Sequence, residues 1–175
     1  MRARITQVWL GLACAVVFQV AGNAASLTDV DVRLMVRAIG FLQPRPADGG
    51  IVAIAYDAAD PASKQDAEAI AGYFGDGLKA GNAMLAPRIE DVGQLAAGGF
   101  VAIITARGVN LGRVAAIGRA LHVPCLTGDP AQIGTSLCVM AVRSKPTVEI
   151  TVSRAAAASG EVTFAAAFLM MITQF

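Results

Sequence analysis

Residues 51–56 decide the fold: Ile51-Val52-Ala53-Ile54-Ala55-Tyr56 is a continuous apolar run between Gly49-Gly50 and Asp57. A short run rich in β-branched residues and bounded by turn-forming residues is typical of a strand buried on both faces of a sheet. Residues 100–105, Phe100-Val101-Ala102-Ile103-Ile104-Thr105, repeat this pattern. Two such strands predict a largely parallel sheet with helices packed against it.

Segments with helical spacing alternate with these strands. Residues 27–42, for example, carry Val32, Met35, Val36 and Ile39 on one stripe after Thr28-Asp29, which favours a helix start. The order of elements predicts a single-domain α/β fold: a three-layer mixed sheet of five to six strands, mostly parallel, with a C-terminal hairpin and helices on both faces. The remaining predicted helices cover 61–77, 90–97, 110–121 and 163–173; the remaining strands cover 82–88 and 123–127, and the hairpin joins 137–142 to 147–152.

The N-terminus has the pattern of a secretory signal peptide. Arg2 and Arg4 precede an apolar run over 8–21, and Gly22-Asn23-Ala24 places small residues where a signal peptidase cleaves. The apolar run is shorter than the roughly 20 residues that span a bilayer, which disfavours the alternative of a retained membrane anchor. We therefore expect export to the periplasm, with this organisation: 1–24 signal peptide and 25–175 one α/β domain.

Export determines how the cysteines are interpreted. Cys14 lies in the predicted leader, so the mature chain keeps Cys125 and Cys138. In an oxidising compartment we expect them to form a disulfide, and two buried free thiols are the alternative. His122 is the one histidine and no C-x-x-C motif is present, so the sequence predicts neither a metal site nor a cofactor.

Composition bounds the class of protein. The 175 residues have room for one domain, and 55% of them are apolar. Lys and Arg number 14 against 13 Asp and Glu, which gives a formal net charge of +1. Without a basic stripe to neutralise phosphates, the chain is not expected to bind nucleic acid.

No set of catalytic residues is recognisable, so we expect a protein that is not an enzyme. Gly108–Gly112 follows a strand and opens a helix, but it lacks the spacing of a phosphate-binding loop and is interpreted as a tight turn. No serine lies in a G-x-S-x-G elbow, and His122 is expected to enter a strand, so a Ser-His-Asp set has little support. Glu90-Asp91 are expected in the first turn of a short helix, where their negative charges interact favourably with the positive end of the helix dipole.

One group of polar residues follows the predicted strands. In open α/β sheets, ligands bind at the carboxyl ends of the strands. A polar rim of mixed charge is expected at that edge, suited to a small polar ligand or a partner loop; a solvated loop rim is the alternative. Its members are Asp57, Asp60, Thr105, Arg107, Thr127 and Asp129.

The ordered elements resemble the YfiR-like family of small exported bacterial proteins. Residues 34–42 before the strand at 51–56 are similar to that family's opening helix and first strand. Residues 134–142 and 148–156 resemble its glycine-led strand, hairpin and closing helix. The opening helix departs from the family pattern, because Phe41 is its one aromatic residue, and the helix at 164–172 is unusually rich in Ala and Met.

The resemblance implies a periplasmic, non-enzymatic regulator. Such a protein binds and restrains an integral-membrane signalling partner of the diguanylate-cyclase type. It also implies that the chain is disulfide-bonded and can form a homodimer.

Two other functions remain as alternatives. One is a small periplasmic solute-binding protein of a transporter, although such proteins usually close two lobes around a ligand. The other is an exported enzyme, which the missing catalytic arrangements disfavour. An exposed apolar patch on the first or last helix would favour the regulator. A deep polar pocket at Asp57, Thr105 and Thr127 would favour solute binding.

Overall fold

A computed structural model describes residues 26–46 and 49–175 of the chain. The predicted signal peptide, 1–24, lies outside the described residues. Across the described ranges, every helix is too short or too polar to traverse a bilayer.

The core of the structure is an eight-stranded mixed sheet, and the predicted α/β class is confirmed. The strand order is β10-β8-β7-β6-β5-β2-β4-β3, so the predicted five to six strands were slightly too few. Strands β2, β4, β5, β6 and β7 are mutually parallel, and β7 and β8 form the predicted antiparallel hairpin. The strands are β1 (Leu42–Gln43), β2 (Gly49–Tyr56), β3 (Leu78–Ala80), β4 (Ala83–Asp91), β5 (Ala102–Thr105), β6 (Cys125–Thr127), β7 (Met140–Arg143), β8 (Glu149–Val152), β9 (Thr163–Phe164) and β10 (Thr173–Gln174).

Six α-helices lie in the part of the chain that the structure describes, and the longer ones begin at residues with capping side chains. Thr28 forms a capping box with Asp31, while Asp60 and Asn110 each accept a hydrogen bond from a backbone amide of the helix that follows. The helices are α1 (Asp29–Ile39), α2 (Pro61–Gly72), α3 (Leu111–Leu121), α4 (Ala131–Gly134), α5 (Arg154–Ser159) and α6 (Ala166–Leu169).

The strands are buried on both faces, as expected for the two apolar runs. In β2, Val52 and Ile54 face one apolar cluster, whereas Ala53 and Ala55 face the other. Helices α1, α2, α5 and α6 pack in the first cluster, and α3 packs in the second. This arrangement is the predicted three-layer architecture.

Two predicted helices are wrong. Residues 90–97 were expected to be helical, but Glu90 and Asp91 end β4 and only Leu95–Ala97 form a short 3-10 turn. Asp91, the last residue of β4, accepts hydrogen bonds from the amides of Gly93 and Ala58, so its carboxylate holds the turn after the strand instead of starting a helix.

The predicted helix over 163–173 is divided into β9, α6 and β10. Two pairings outweigh its local helical preference, because Thr163–Phe164 pairs with Leu42–Gln43 and Thr173–Gln174 pairs with β8. Propensity is a weak guide where strand pairing of this kind is available.

The predicted disulfide joins β6 to the segment before β7. The Cα atoms of Cys125 and Cys138 lie 4.8 Å apart, and both residues are buried in the apolar cluster on the α3 face.

Candidate functional site

A polar cleft lies at the carboxyl ends of β5 and β6. Thr105 and Thr127 are the last residues of these strands, and both are buried. The hydroxyl of Thr105 donates to the carbonyl of Leu126 at 3.2 Å, which ties the two strand ends together. The hydroxyl of Thr127 accepts from the amide of Asp129 at 3.2 Å and shapes the turn that follows.

The cleft has a volume of about 140 Å³ and is bounded by four parts of the chain. Residues 106–109 after β5 form one side, and residues 127–129 with Gln132 form another. Leu27 and Asp66 complete the lining. The walls therefore combine backbone amides, hydroxyl groups and charges of both signs, which can hold a polar group of a small ligand.

Asp66 is the residue of this cleft that sequence reasoning missed. It lies in α2, and only 7% of its surface is exposed. Its Oδ2 accepts from the backbone amide of Arg107 at 2.8 Å, which fixes the loop after β5. A carboxylate four residues before the buried Ile70 has no distinguishing local signal, so only the neighbouring loop reveals its role.

Four of the six predicted rim residues line the cleft: Thr105, Arg107, Thr127 and Asp129. Asp60 caps α2 and lies against the loop, since a Cβ added to Gly108 would meet its Oδ2 at 2.7 Å. Gly108 also has a φ of 74°, so a side chain at this position would both contact Asp60 and strain the backbone. Asp57 does not line the cleft. Its Oδ1 instead accepts a hydrogen bond from the amide of Ala59.

Among the described residues that line the cleft there is no histidine, cysteine or serine. His122 lies at the other edge of the sheet, as the residue that caps the C-terminus of α3, rather than in a strand. Across residues 26–46 and 49–175, no three His, Cys, Asp or Glu side chains cluster where a metal ion would bind.

A second candidate surface follows α6. Met170, Met171 and Phe175 are 82%, 69% and 65% exposed, and together they are called the C-terminal apolar patch. The backbone beneath Phe175 is held firmly: its amide donates to Val152 at 2.9 Å, and its carbonyl accepts from Arg154 at 2.8 Å. The patch therefore presents large apolar side chains from an ordered backbone.

Comparisons with known proteins give a structural likeness alone. No protein-family model matches the chain, and no curated protein sequence matches it. The fold is similar to a crystal structure of "the ABC domain in complex with L-Trp from Streptococcus pneumonia", with a TM-score of 0.56 and 14% sequence identity. The likeness covers 82% of this chain and 60% of the other, so it extends over about three fifths of that protein.

Proposed function

We propose that this chain is a periplasmic, non-enzymatic regulator that binds and restrains a membrane-bound signalling partner of the diguanylate-cyclase type. The observation that carries the proposal is the C-terminal apolar patch. Soluble domains rarely keep several large apolar side chains this exposed within a few residues, and such surfaces mark sites of protein contact.

The chemistry of the patch suits a protein partner. Phe175 supplies a large apolar anchor on a backbone that is already ordered, which lowers the entropic cost of binding. Met170 and Met171 have flexible, polarisable side chains that adapt to an irregular surface. Beside them, β10 lies at the end of the sheet, where a strand offers backbone groups to a partner.

The class of partner and the compartment follow from the sequence. The resemblance to the YfiR-like family supports a membrane-bound cyclase as the partner, and the leader-like N-terminus supports export. The buried Cys125–Cys138 disulfide is consistent with an oxidising periplasm.

The first test measures whether the chain inhibits the membrane-bound diguanylate cyclases of the organism that encodes it. Purified protein is added to membranes containing these cyclases, and formation of cyclic di-GMP is followed. Phe175→Glu and Met171→Glu are each expected to raise the concentration for half-inhibition at least about tenfold, because a charge cannot enter an apolar interface without a partner.

Val148→Glu is the matched control, because Val148 is 62% exposed but lies in the hairpin loop. It is expected to inhibit like the wild type, and all three variants should melt at the same temperature as the wild type. Equal inhibition by the patch variants and the control would refute the role of the patch. An effect on self-association alone would assign the patch to a homodimer.

Solute binding is the second candidate function, and the polar cleft favours it. The similar domain from Streptococcus is described in complex with L-Trp, which suggests an amino acid as the class of solute. The volume of the cleft argues against solute binding, since 140 Å³ is small compared with the roughly 300–1,000 Å³ of typical ligand pockets. A small polar amino acid therefore suits the cleft better than a large one.

Calorimetric titration with L-serine and L-tryptophan tests this second candidate. If the cleft binds either, Arg107→Gln is expected to weaken the affinity about tenfold, because the lost guanidinium no longer pairs with the ligand carboxylate. Arg37→Gln, on the exposed side of α1, is the matched control and should bind like the wild type. Absence of heat with both amino acids would exclude amino-acid binding at this site.

A further inference from the structure

A larger cavity lies at the opposite edge of the sheet from the polar cleft. It occupies about 380 Å³ beside the amino-terminal ends of β5 and β6, within the usual range of small-molecule pockets. The segment 42–46 and the paired strand β9 form one wall. Residues 100–101 and 121–124, which lead into β5 and β6, form the other.

One part of the lining of this cavity is apolar. Leu42, Phe100, Pro124 and Val162 are buried residues that line it, and Val123 adds a half-buried side chain. These side chains offer dispersion contacts and exclude water from an apolar ligand. The ionisable residues that line the same cavity are Arg45, His122 and Glu161, all of them exposed.

His122 and Glu161 both adopt a left-handed backbone, with φ values of 55° and 53°. Each follows the last turn of a helix, where glycine normally occupies this conformation without strain. Their side chains nevertheless meet, with His122 Nδ1 3.5 Å from Glu161 Oε2. Non-glycine residues held in this way are enriched at ligand-binding sites.

We propose that this cavity is a binding site for a small organic carboxylate with an apolar body. The apolar body occupies the interior, and the carboxylate accepts hydrogen bonds from Arg45 and His122 at the mouth. Glu161 is a positioning residue that orients the imidazole.

Charge complementarity selects an anion over an amine or a neutral ligand. Arg45 brings a permanent positive charge and donors matched to a carboxylate. The acidic residue of the lining, Glu161, lies 3.5 Å from His122 Nδ1 through its Oε2, so Arg45 brings the one charge of the lining that faces no charged partner in this pair. An anionic head and an apolar tail therefore fit the two parts of the cavity.

Octanoate is a suitable probe, and its binding is measured by titration calorimetry. The wild type is expected to bind it with a dissociation constant of about 1 mM or tighter, and His122→Gly should weaken binding about tenfold. Because glycine is favoured at the left-handed end of a helix, His122→Gly should melt no lower than the wild type. This result separates a ligand contact from a structural role.

Ser136→Gly is the matched control, since Ser136 has a φ of 54° but does not line the cavity. It should bind octanoate like the wild type. The proposal is overturned if the wild type gives no heat with octanoate, or if His122→Gly and Ser136→Gly bind equally well.

Selectivity for the carboxylate is tested with octylamine, which has the same apolar chain and the opposite charge. The wild type should bind octanoate at least about tenfold more tightly than octylamine, and Arg45→Gln should remove most of this preference. Equal affinity of the wild type for both probes would overturn the proposed class of ligand.

Discussion

Replacement of Cys125 and Cys138 by alanine is expected to lower the free energy of unfolding by about 3 kcal/mol. The bridge closes a loop of sequence separation 13, and opening it restores conformational entropy to the unfolded chain. For a domain of this size the loss corresponds to a fall in melting temperature of about 6–12 °C. Scanning calorimetry of the mature chain, with and without reductant, measures it.

Single replacements and reductant provide the controls for the disulfide. Cys125→Ala alone should cost nearly as much as the double replacement, because either change breaks the bridge. Reductant should lower the melting temperature of the wild type and leave the double variant unchanged. A wild type that melts at the same temperature with and without reductant would show that the two thiols are not joined.

Asp31→Ala is expected to destabilise the chain by about 2–4 kcal/mol. Asp31 is buried, and its carboxylate joins the start of α1 to the β7–β8 hairpin. Oδ2 accepts from the amide and hydroxyl of Thr28 at 2.8 Å and 2.6 Å, and Oδ1 accepts from the amide of Ser144 at 2.6 Å. Removal of the carboxylate leaves these donors without their partner, which costs more than the bonds contribute in water.

The same carboxylate predicts acid sensitivity. Burial by itself raises the pKa of Asp31, but hydrogen bonds from Thr28 and Ser144 outweigh it and hold the pKa below the usual 3.8. A pKa lowered by folding means that the stabilisation is complete above the unfolded value and is lost as pH falls through the folded value. Stability should therefore decline below about pH 4, and Asp31→Asn should flatten this part of the profile.

Asp29→Asn is the matched control for both measurements. Asp29 lies in the same first turn, but it is half-exposed and pairs with the exposed Arg33, so its loss should cost less than about 0.5 kcal/mol. Urea denaturation from pH 2.5 to 6 compares the wild type with Asp31→Ala, Asp31→Asn and Asp29→Asn. Equal losses for Asp29→Asn and Asp31→Ala would contradict a special role for the buried carboxylate.

The local pattern predicted the elements that depend on near neighbours. The runs at 51–56 and 100–105 became central strands, because apolar residues on both faces have no stable position except between two helical layers. Thr28 and Asn110 started helices through bonds to amides three residues away. Patterns of this kind can be recognised from a few consecutive residues of the sequence.

The candidate sites were predicted only in part. Placing Thr105, Arg107, Thr127 and Asp129 at one edge followed from the rule that parallel strands end together. The C-terminal apolar patch was not predicted, because residues 163–173 have helical composition and their division depends on pairing with β8, which is distant in sequence. The cavity beside the amino-terminal ends of β5 and β6 was also not predicted, since its walls come from four separate segments.

By itself, the sequence determined the α/β class, the order of most elements, the cysteine pair and the polar strand ends, because periodicity and capping act over short distances. The tertiary structure alone decided which polar side chains are buried and where cavities form. Asp31 meets Ser144 across 113 residues and Asp66 meets Arg107 across 41. The physical reason is that burial and hydrogen bonding of a side chain depend on whichever distant segment the fold packs against it.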